Sequence, residues 1–213
     1  MRLGYAGEKA LHSLIKQGLL KGAKTCKLGF CEHCVFGKQW KVKFESAIHW
    51  TERILDYVHS GVWGPTQVAS LGGMHYFITF VDGFSRRVWV YVMKNKSEVL
   101  NVFLKWKKMV ETHTGRKIKR LRSDNGDKYK NDPFLQVCQD EGIVRHFTVR
   151  NTPQQNGVAE RMNLTLLEKV RCMLSNIGLG KEFWAEAVTY ACHLINRLPS
   201  ATIEGKTPYG GMV

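Results

Sequence analysis

No apolar run in this sequence is long enough to cross a bilayer. The longest, Tyr76 to Val81 and Val88 to Met93, fall far short of the roughly 20 residues a membrane helix needs. The opening Met1-Arg-Leu-Gly-Tyr5 also lacks the apolar core of a signal peptide. With both signals missing, the expectation is a soluble, intracellular protein with no membrane partner. Cysteine is sparse as well: six in 213 residues, too scattered for a disulfide framework, with only Cys31 and Cys34 at ligand-like spacing. Cys138, Cys172 and Cys192 sit in helix-like apolar patterns and read as core thiols. For the same compartment reason the Asn163-Leu-Thr165 sequon is not expected to carry glycan. Internal repeats and low-complexity segments are absent. Acidic residues are the scarcest class relative to their counterpart, 18 Asp and Glu against 32 Lys and Arg, giving a formal charge of +14. Such an excess favours polyanions through phosphate contacts and counterion release. Nucleic acid is the leading partner, with a generic basic protein of ribosomal kind as the plainer alternative.

What is present suffices for one ordinary domain and a small appendage, since 44% hydrophobic residues can build a buried core. Residues 1 to about 45 form a basic, cysteine-bearing lead-in with one helical pattern, Glu8 to Gln17. Strand patterns follow at Ile54 to His59, His75 to Asp82 and Arg87 to Met93, joined by short turns and so expected as an antiparallel meander. An amphipathic helix, Ser97 to His113, carries Val99, Val102, Phe103, Trp106, Met109 and Val110 on one face, with lysines elsewhere, and Gly115 closes it. Then come a strand at Ile118 to Arg122, a helix at Pro133 to Glu141, a strand at Val144 to Val149, and helices at about Asn156 to Asn176 and Lys181 to Arg197. This order predicts a mixed α/β layer architecture, one sheet with helices on its faces, compatible with the ribonuclease-H-like fold.

Two stretches carry the chemistry. Leu121-Arg-Ser-Asp-Asn-Gly126 and Thr152-Pro-Gln-Gln-Asn-Gly-Val-Ala-Glu-Arg161 place Asp124 at a strand end and Glu160 at the opening of a helix, with 35 residues between them. Carboxylates so framed can share divalent cations, and a metal pair serves the attacking and leaving oxygens of phosphoryl transfer. Alone, either acid would read as a turn Asp or a solvated helix Glu.

With these stand Cys31-Glu-His-Cys-Val-Phe-Gly-Lys38, Leu55-Asp-Tyr-Val-His-Ser60 with Trp63-Gly-Pro65, Thr79-Phe-Val-Asp-Gly-Phe-Ser-Arg86, the continuation of the second stretch to Asn163, and Ile195-Asn-Arg-Leu-Pro199. Together they make the chain resemble, over nearly all its length, part of the polyprotein of copia-type LTR retrotransposons. The resemblance implies a ribonuclease-H-like integrase core with a mixed five-stranded sheet and flanking helices over residues 46–213. Before it, residues 1–45 are similar to a GAG-pre-integrase, zinc-binding-like module in degenerate form. It further implies Mg2+- or Mn2+-dependent 3′-end processing and strand transfer, double-stranded element ends and target DNA as partners, a homo-oligomer, and a nuclear site of action. Asp124 matches the second metal-binding acid and Glu160 the third. Gln154, Asn156, Arg161 and Asn163 fall where the family meets the DNA end.

The chain departs from the family at the first acid, where the family reads His-Ser-Asp and this sequence reads His59-Ser60-Gly61. Asp56 does not substitute: on one predicted strand, alternation turns it to the opposite face, roughly 16 Å away. Asp82 reads as a turn residue. Leu164, one turn beyond Glu160, stands where the family usually has Arg, which could contact DNA phosphate. Gly126-Asp-Lys-Tyr129 and Thr207 to Val213 also drift from the pattern. In the lead-in, Tyr5 replaces a family histidine and a second histidine would precede Met1, so Cys31 and Cys34 remain as a possible residual zinc pair, with Cys26 or His33 as rescuing ligands and His12 as a packed or surface residue. The basic runs Lys21 to Lys38, Lys105 to Lys108 and Arg116 to Arg122 track a DNA backbone or, for the last two, serve as a solvated helix face and strand-edge residues. The expected function is therefore a DNA-integration core impaired at Gly61. The alternatives are a catalytically dead nucleic-acid-binding remnant and, more distantly, a nuclease on RNA–DNA hybrids.

Overall fold

The computed structural model describes residues 6–20, 22, 28–37, 51–123, 132–147 and 157–208. The elements are α1 (Glu8–Lys16), α2 (Glu32–Gly37), β1 (Val58–Trp63), β2 (Tyr76–Asp82), β3 (Val88–Met93), α3 (Val99–Thr114), β4 (Arg120–Ser123), α4 (Asp132–Asp140), β5 (Val144–Phe147), α5 (Gly157–Ile177) and α6 (Trp184–Ile195). The five strands form one sheet in the order β3-β2-β1-β4-β5. The expected meander is present: β1 pairs antiparallel with β2, and β2 with β3. Beyond it β1 pairs parallel with β4, and β4 with β5, so the helices α3 and α4 are the crossovers that parallel strands require.

Alternation along the strands sorts two cores onto the two faces of the sheet. Val58, Ile78 and Phe80 pack with Phe103, Trp106 and Val110 of α3 and Phe134 of α4. The Phe80 and Trp106 rings stack with centroids 4.1 Å apart. On the other face Phe77, Val81 and Val88 pack with Leu166 and Val170 of α5 and with Trp184, Val188 and Ala191 of α6. The apolar face expected of α3 is the one buried, and Gly115 ends the helix in the left-handed conformation at φ 63°.

The structure corrects several sequence expectations. The first strand is Val58–Trp63, not Ile54 to His59. Residues 53–57 turn instead, with Leu55 at φ 65°. That turn is pinned from afar: Leu55 donates its N–H to Asp82 Oδ1 at 2.8 Å and accepts from the Lys119 N–H at 3.1 Å. Lys107 is not part of a solvated face. It is buried and paired with Glu111 at 2.8 Å and Glu141 at 3.0 Å. Burial pulls its ammonium down, yet the two carboxylates outweigh that and hold its pKa above the ordinary value. Nor does the third basic run lie on a strand edge, because β4 is interior. Lys119 pairs with Asp56 at 2.6 Å and Arg122 is buried. Most lysines of the first run lie outside the described residues.

β3 is an edge strand, and a side chain completes its hydrogen bonding. Asn196, just past α6, accepts from the Val88 N–H at 2.8 Å and donates Nδ2 to the Val88 carbonyl at 2.7 Å. Its amide thus imitates a neighbouring strand and ties α6 to the sheet, which accounts for the Asn in Ile195-Asn-Arg-Leu-Pro199. Asn196→Ala is expected to cost about 2 kcal/mol in urea denaturation, because it strands a buried Val88 N–H; a loss below about 0.5 kcal/mol would remove this role.

Candidate active site

β1 and α5 make the site. On β1, alternation puts Gly61 on the same sheet face as Trp63, the face that α5 covers. Gly61 is in register with Thr79 of β2, and β4 runs alongside with His59 opposite Arg122. The strand β4 stops at Ser123. Asp124, the next residue, lies outside the described residues, as do Gln154 and Asn156. Of the expected site residues, the structure therefore places Gly61, Glu160, Arg161 and Asn163.

Glu160 sits half-buried in the first turn of α5, where the helix dipole favours a carboxylate. Arg161 beside it is exposed. Asn163, not Leu164, is the residue that meets β1: it is buried, while Leu164 is half-buried. A Cβ built on Gly61 would lie 3.1 Å from Asn163 Nδ2 and 3.1 Å from Ala159 Cβ, so the glycine lets α5 come unusually close. Thr79, fully buried, bridges the three elements. Its Oγ1 donates to Asn163 Oδ1 at 2.7 Å and also lies 3.2 Å from the Gly61 carbonyl. Sequence reasoning quoted Thr79 only as part of a motif. Its role depends on cross-strand register, which no local pattern reveals.

A second polar group flanks the end of β4. Arg122 Nη1 donates to Tyr57 Oη at 3.3 Å, and the same hydroxyl is 3.0 Å from His146 Nδ1. Arg86, in the left-handed conformation at φ 59°, is held below its ordinary pKa by burial; the Asp82 charge opposes the shift and the Arg161 charge adds to it. Basic side chains thus lie near the N-terminal end of α5.

Asp82 is not the turn residue expected of it: it is the last residue of β2, and its side chain serves the turns on either side. Its carboxylate is fully buried and accepts from the Leu55 N–H at 2.8 Å, the Ser85 N–H at 2.7 Å and Ser85 Oγ at 2.8 Å. Burial pushes this carboxyl up, while the Ser85 and Leu55 donors pull it back. Asp56 is likewise engaged elsewhere, with Lys119, although it lies in a turn rather than on the strand assumed for it.

The lead-in docks on α5. A Cβ on Gly37 would collide with Cys172 Sγ, Arg171 donates to the Gly37 carbonyl at 3.1 Å, and Cys172 Sγ to the His33 carbonyl at 3.2 Å. His33 Nδ1 lies 2.9 Å from Ser175 Oγ, so this nitrogen faces α5. His12 is exposed. Cys31 and Cys34 are partly buried against the α5 side of the core, and Cys26 and Tyr5 lie outside the described residues. Among the described residues no three His, Cys, Asp or Glu side chains gather to hold a metal. Cys138, Cys172 and Cys192 are buried thiols, as expected, and burial pushes Cys192 up to about 12. Among the described residues, no helix is long and apolar enough to cross a membrane.

Asp82→Asn is expected to lower stability by about 1–3 kcal/mol, since it turns an acceptor into a donor facing buried donors. Urea denaturation should give the same loss with and without Mn2+; a loss seen only with the metal would make Asp82 a ligand.

Against known proteins, residues 56–153 match the Integrase core domain family and residues 1–39 the GAG-pre-integrase domain family. The chain is 48% identical over 207 residues to the retrovirus-related Pol polyprotein from transposon TNT 1-94 of Nicotiana tabacum, covering 97% of this chain and 16% of that protein. It is 32% identical over 210 residues to the corresponding polyprotein from transposon RE2 of Arabidopsis thaliana, covering 98% and 14%. The chain thus spans about one sixth of these relatives' length or less. In fold it resembles the HTLV-2 integrase catalytic core domain solved in complex with magnesium in a trimeric form, at a TM-score of 0.55 and 20% identity over 74% of this chain and 95% of that one. It also resembles a simian T-cell lymphotropic virus intasome chain, at 0.55 and 19% over 76% and 57%. These matches identify an integrase core domain over residues 56–153 and a GAG-pre-integrase domain over residues 1–39, and the chain is homologous to the Pol polyproteins of plant retrotransposons.

Proposed function

We propose that this chain is the integrase core of a retrotransposon, built for 3′-end processing and strand transfer of DNA, in a copy silenced at Gly61. The observation that carries the proposal is the place of that glycine. It lies on β1 beside the strand that leads to Asp124, and it faces the helix that carries Glu160. Asp124 and Glu160 are the surviving acids of this reading, with Gln154, Asn156, Arg161 and Asn163 as contacts to the DNA end. The magnesium bound by the HTLV-2 core supports Mg2+ or Mn2+ as the family's ion. Holding two such ions against their mutual repulsion takes a full set of carboxylates, and the β1 position offers no side-chain ligand. The described residues therefore do not fit a complete metal pair. Zinc meets the same difficulty in the lead-in, where Cys31 and Cys34 supply two of the four ligands a tetrahedral site needs. Residues 1–45 and 46–213 remain the proposed division, with the lead-in held on α5 by packing.

The partner in this reading is double-stranded DNA, bound by a multimer acting in the nucleus. The intasome and the trimeric core named among the fold neighbours support the multimer. The net charge of +14 favours a second reading, a remnant that still binds DNA but does not join it.

Strand transfer on a short labelled duplex with Mn2+ separates them. Gly61→Asp is expected to exceed the parent chain by at least about 100-fold, since a lost metal ligand should cost no less than the loss of an outer-shell partner. DNA binding by both chains with joining by neither would favour the remnant.

A further inference from the structure

Asn163 is 7% exposed, and its amide is used on one side only. Oδ1 takes the Thr79 hydroxyl at 2.7 Å, whereas among the described residues Nδ2 meets no acceptor. Nδ2 is thus a donor still open to a partner rather than one stranded in the core. It is aimed at Gly61: it lies 3.1 Å from where a Cβ would stand, and the carboxyl oxygens of an Asp begin two bonds further on. The amide cannot turn freely. The Thr79 hydroxyl has one proton, its nearer acceptor is Asn163 Oδ1, and the alternative, the Gly61 carbonyl, is 3.2 Å away. Thr79 is itself fixed, being fully buried on β2 opposite Gly61.

We propose that Thr79 is a positioning residue: its hydroxyl turns the Asn163 amide so that Nδ2 faces residue 61, forming a donor site for a β1 carboxylate that this chain no longer carries. The proposal deepens the integrase reading and rests on it for the identity of the missing acid. The donor site is what remains of the arrangement around that acid. An Asp placed at 61 displaces Ala159 and Asn163 by a few tenths of an ångström, and its charged form gains the Nδ2 hydrogen bond.

The test is metal-free. The carboxyl introduced by Gly61→Asp is titrated by 13C NMR of labelled Asp, alone and combined with Thr79→Val or Thr79→Ser. In the Thr79→Val combination its midpoint is expected about one pH unit higher, a tenfold change in acidity, because the donor is no longer aimed. Thr79→Ser, which keeps the hydroxyl, should restore the lower midpoint. Equal midpoints in all three chains would overturn the proposal. Should Thr79→Val not fold, Gly61→Asp with Asn163→Ala takes its place: the same upward shift supports the donor site, and an unchanged midpoint overturns it. Strand transfer reports on the integrase reading separately. A shifted midpoint in a Gly61→Asp chain that joins no DNA would leave the donor site standing and remove the assignment of the acid.

Discussion

Helix α5 can approach β1 only as closely as residue 61 and its neighbours permit, and the rest of that sheet face is stacked from this contact. With glycine at 61, the helix packs Ala159 and Asn163 against the strand backbone. Thr79 locks the contact with a buried hydrogen bond from the next strand. Further along the helix, Leu166 and Val170 reach Phe77 and Val81, and α6 closes over them with Trp184 and Val188. Burying side chains of this size stabilises a fold by about 1.5–3 kcal/mol each, so the apolar contacts hold α5 in place. The polar contact sets its rotation and depth. Even the lead-in depends on this helix, because α2 docks on its outer side where Gly37 leaves room for Cys172.

A second rule runs through the structure: buried backbone groups at the ends and edges of the sheet are satisfied by short side chains from distant segments. Asp82 takes up the turn before β1 and the turn after β2 with one carboxylate. Asn196 imitates a strand beside β3. Each unsatisfied group would cost about 1–3 kcal/mol, comparable to a sizeable part of the stability of a whole domain. Several motif strings that carry the family resemblance are therefore structural in this fold. The Asp of Thr79-Phe-Val-Asp-Gly-Phe-Ser-Arg86 and the Asn of Ile195-Asn-Arg-Leu-Pro199 tie strands and turns together.

The same rule explains what the sequence could and could not disclose. Elements whose patterns are local were legible: β2, β3, the buried face of α3 and the long helix bearing Glu160 all lie close to where periodicity puts them. β1 was misplaced because Ile54 to Tyr57 has the composition of a strand, while its turn is imposed by Asp82 and Lys119 from elsewhere in the chain. Lys107 looked like one of several surface lysines because its partner Glu141 lies beyond the next strand and helix. Helix α2 is a single short turn-and-a-half with no amphipathic signal to read. At the candidate site, Gly61 and Glu160 stood out by comparison with the family motif. Thr79 did not, since a threonine in a strand is ordinary until the register places it opposite residue 61.

On the proposed reading, a β1 carboxylate missing at 61 is compatible with all of this, because the fold does not rely on one there. Clustered carboxylates without their cations repel one another, so a metal-binding set is a load on the apo fold rather than a support. Removing one member relieves repulsion, and glycine gives α5 a close seat on β1, at the smaller cost of glycine's backbone entropy in a strand. Thr79, Asn163, Asp82 and Asn196 are in the opposite position, since each satisfies buried groups that would otherwise be stranded. A chain under no demand for chemistry can thus change residue 61 and still fold, whereas changes at the other four act on the fold itself. On that reading, the asymmetry lets a silenced site stand inside a scaffold whose motifs are nearly complete, with Thr79 and Asn163 still facing residue 61.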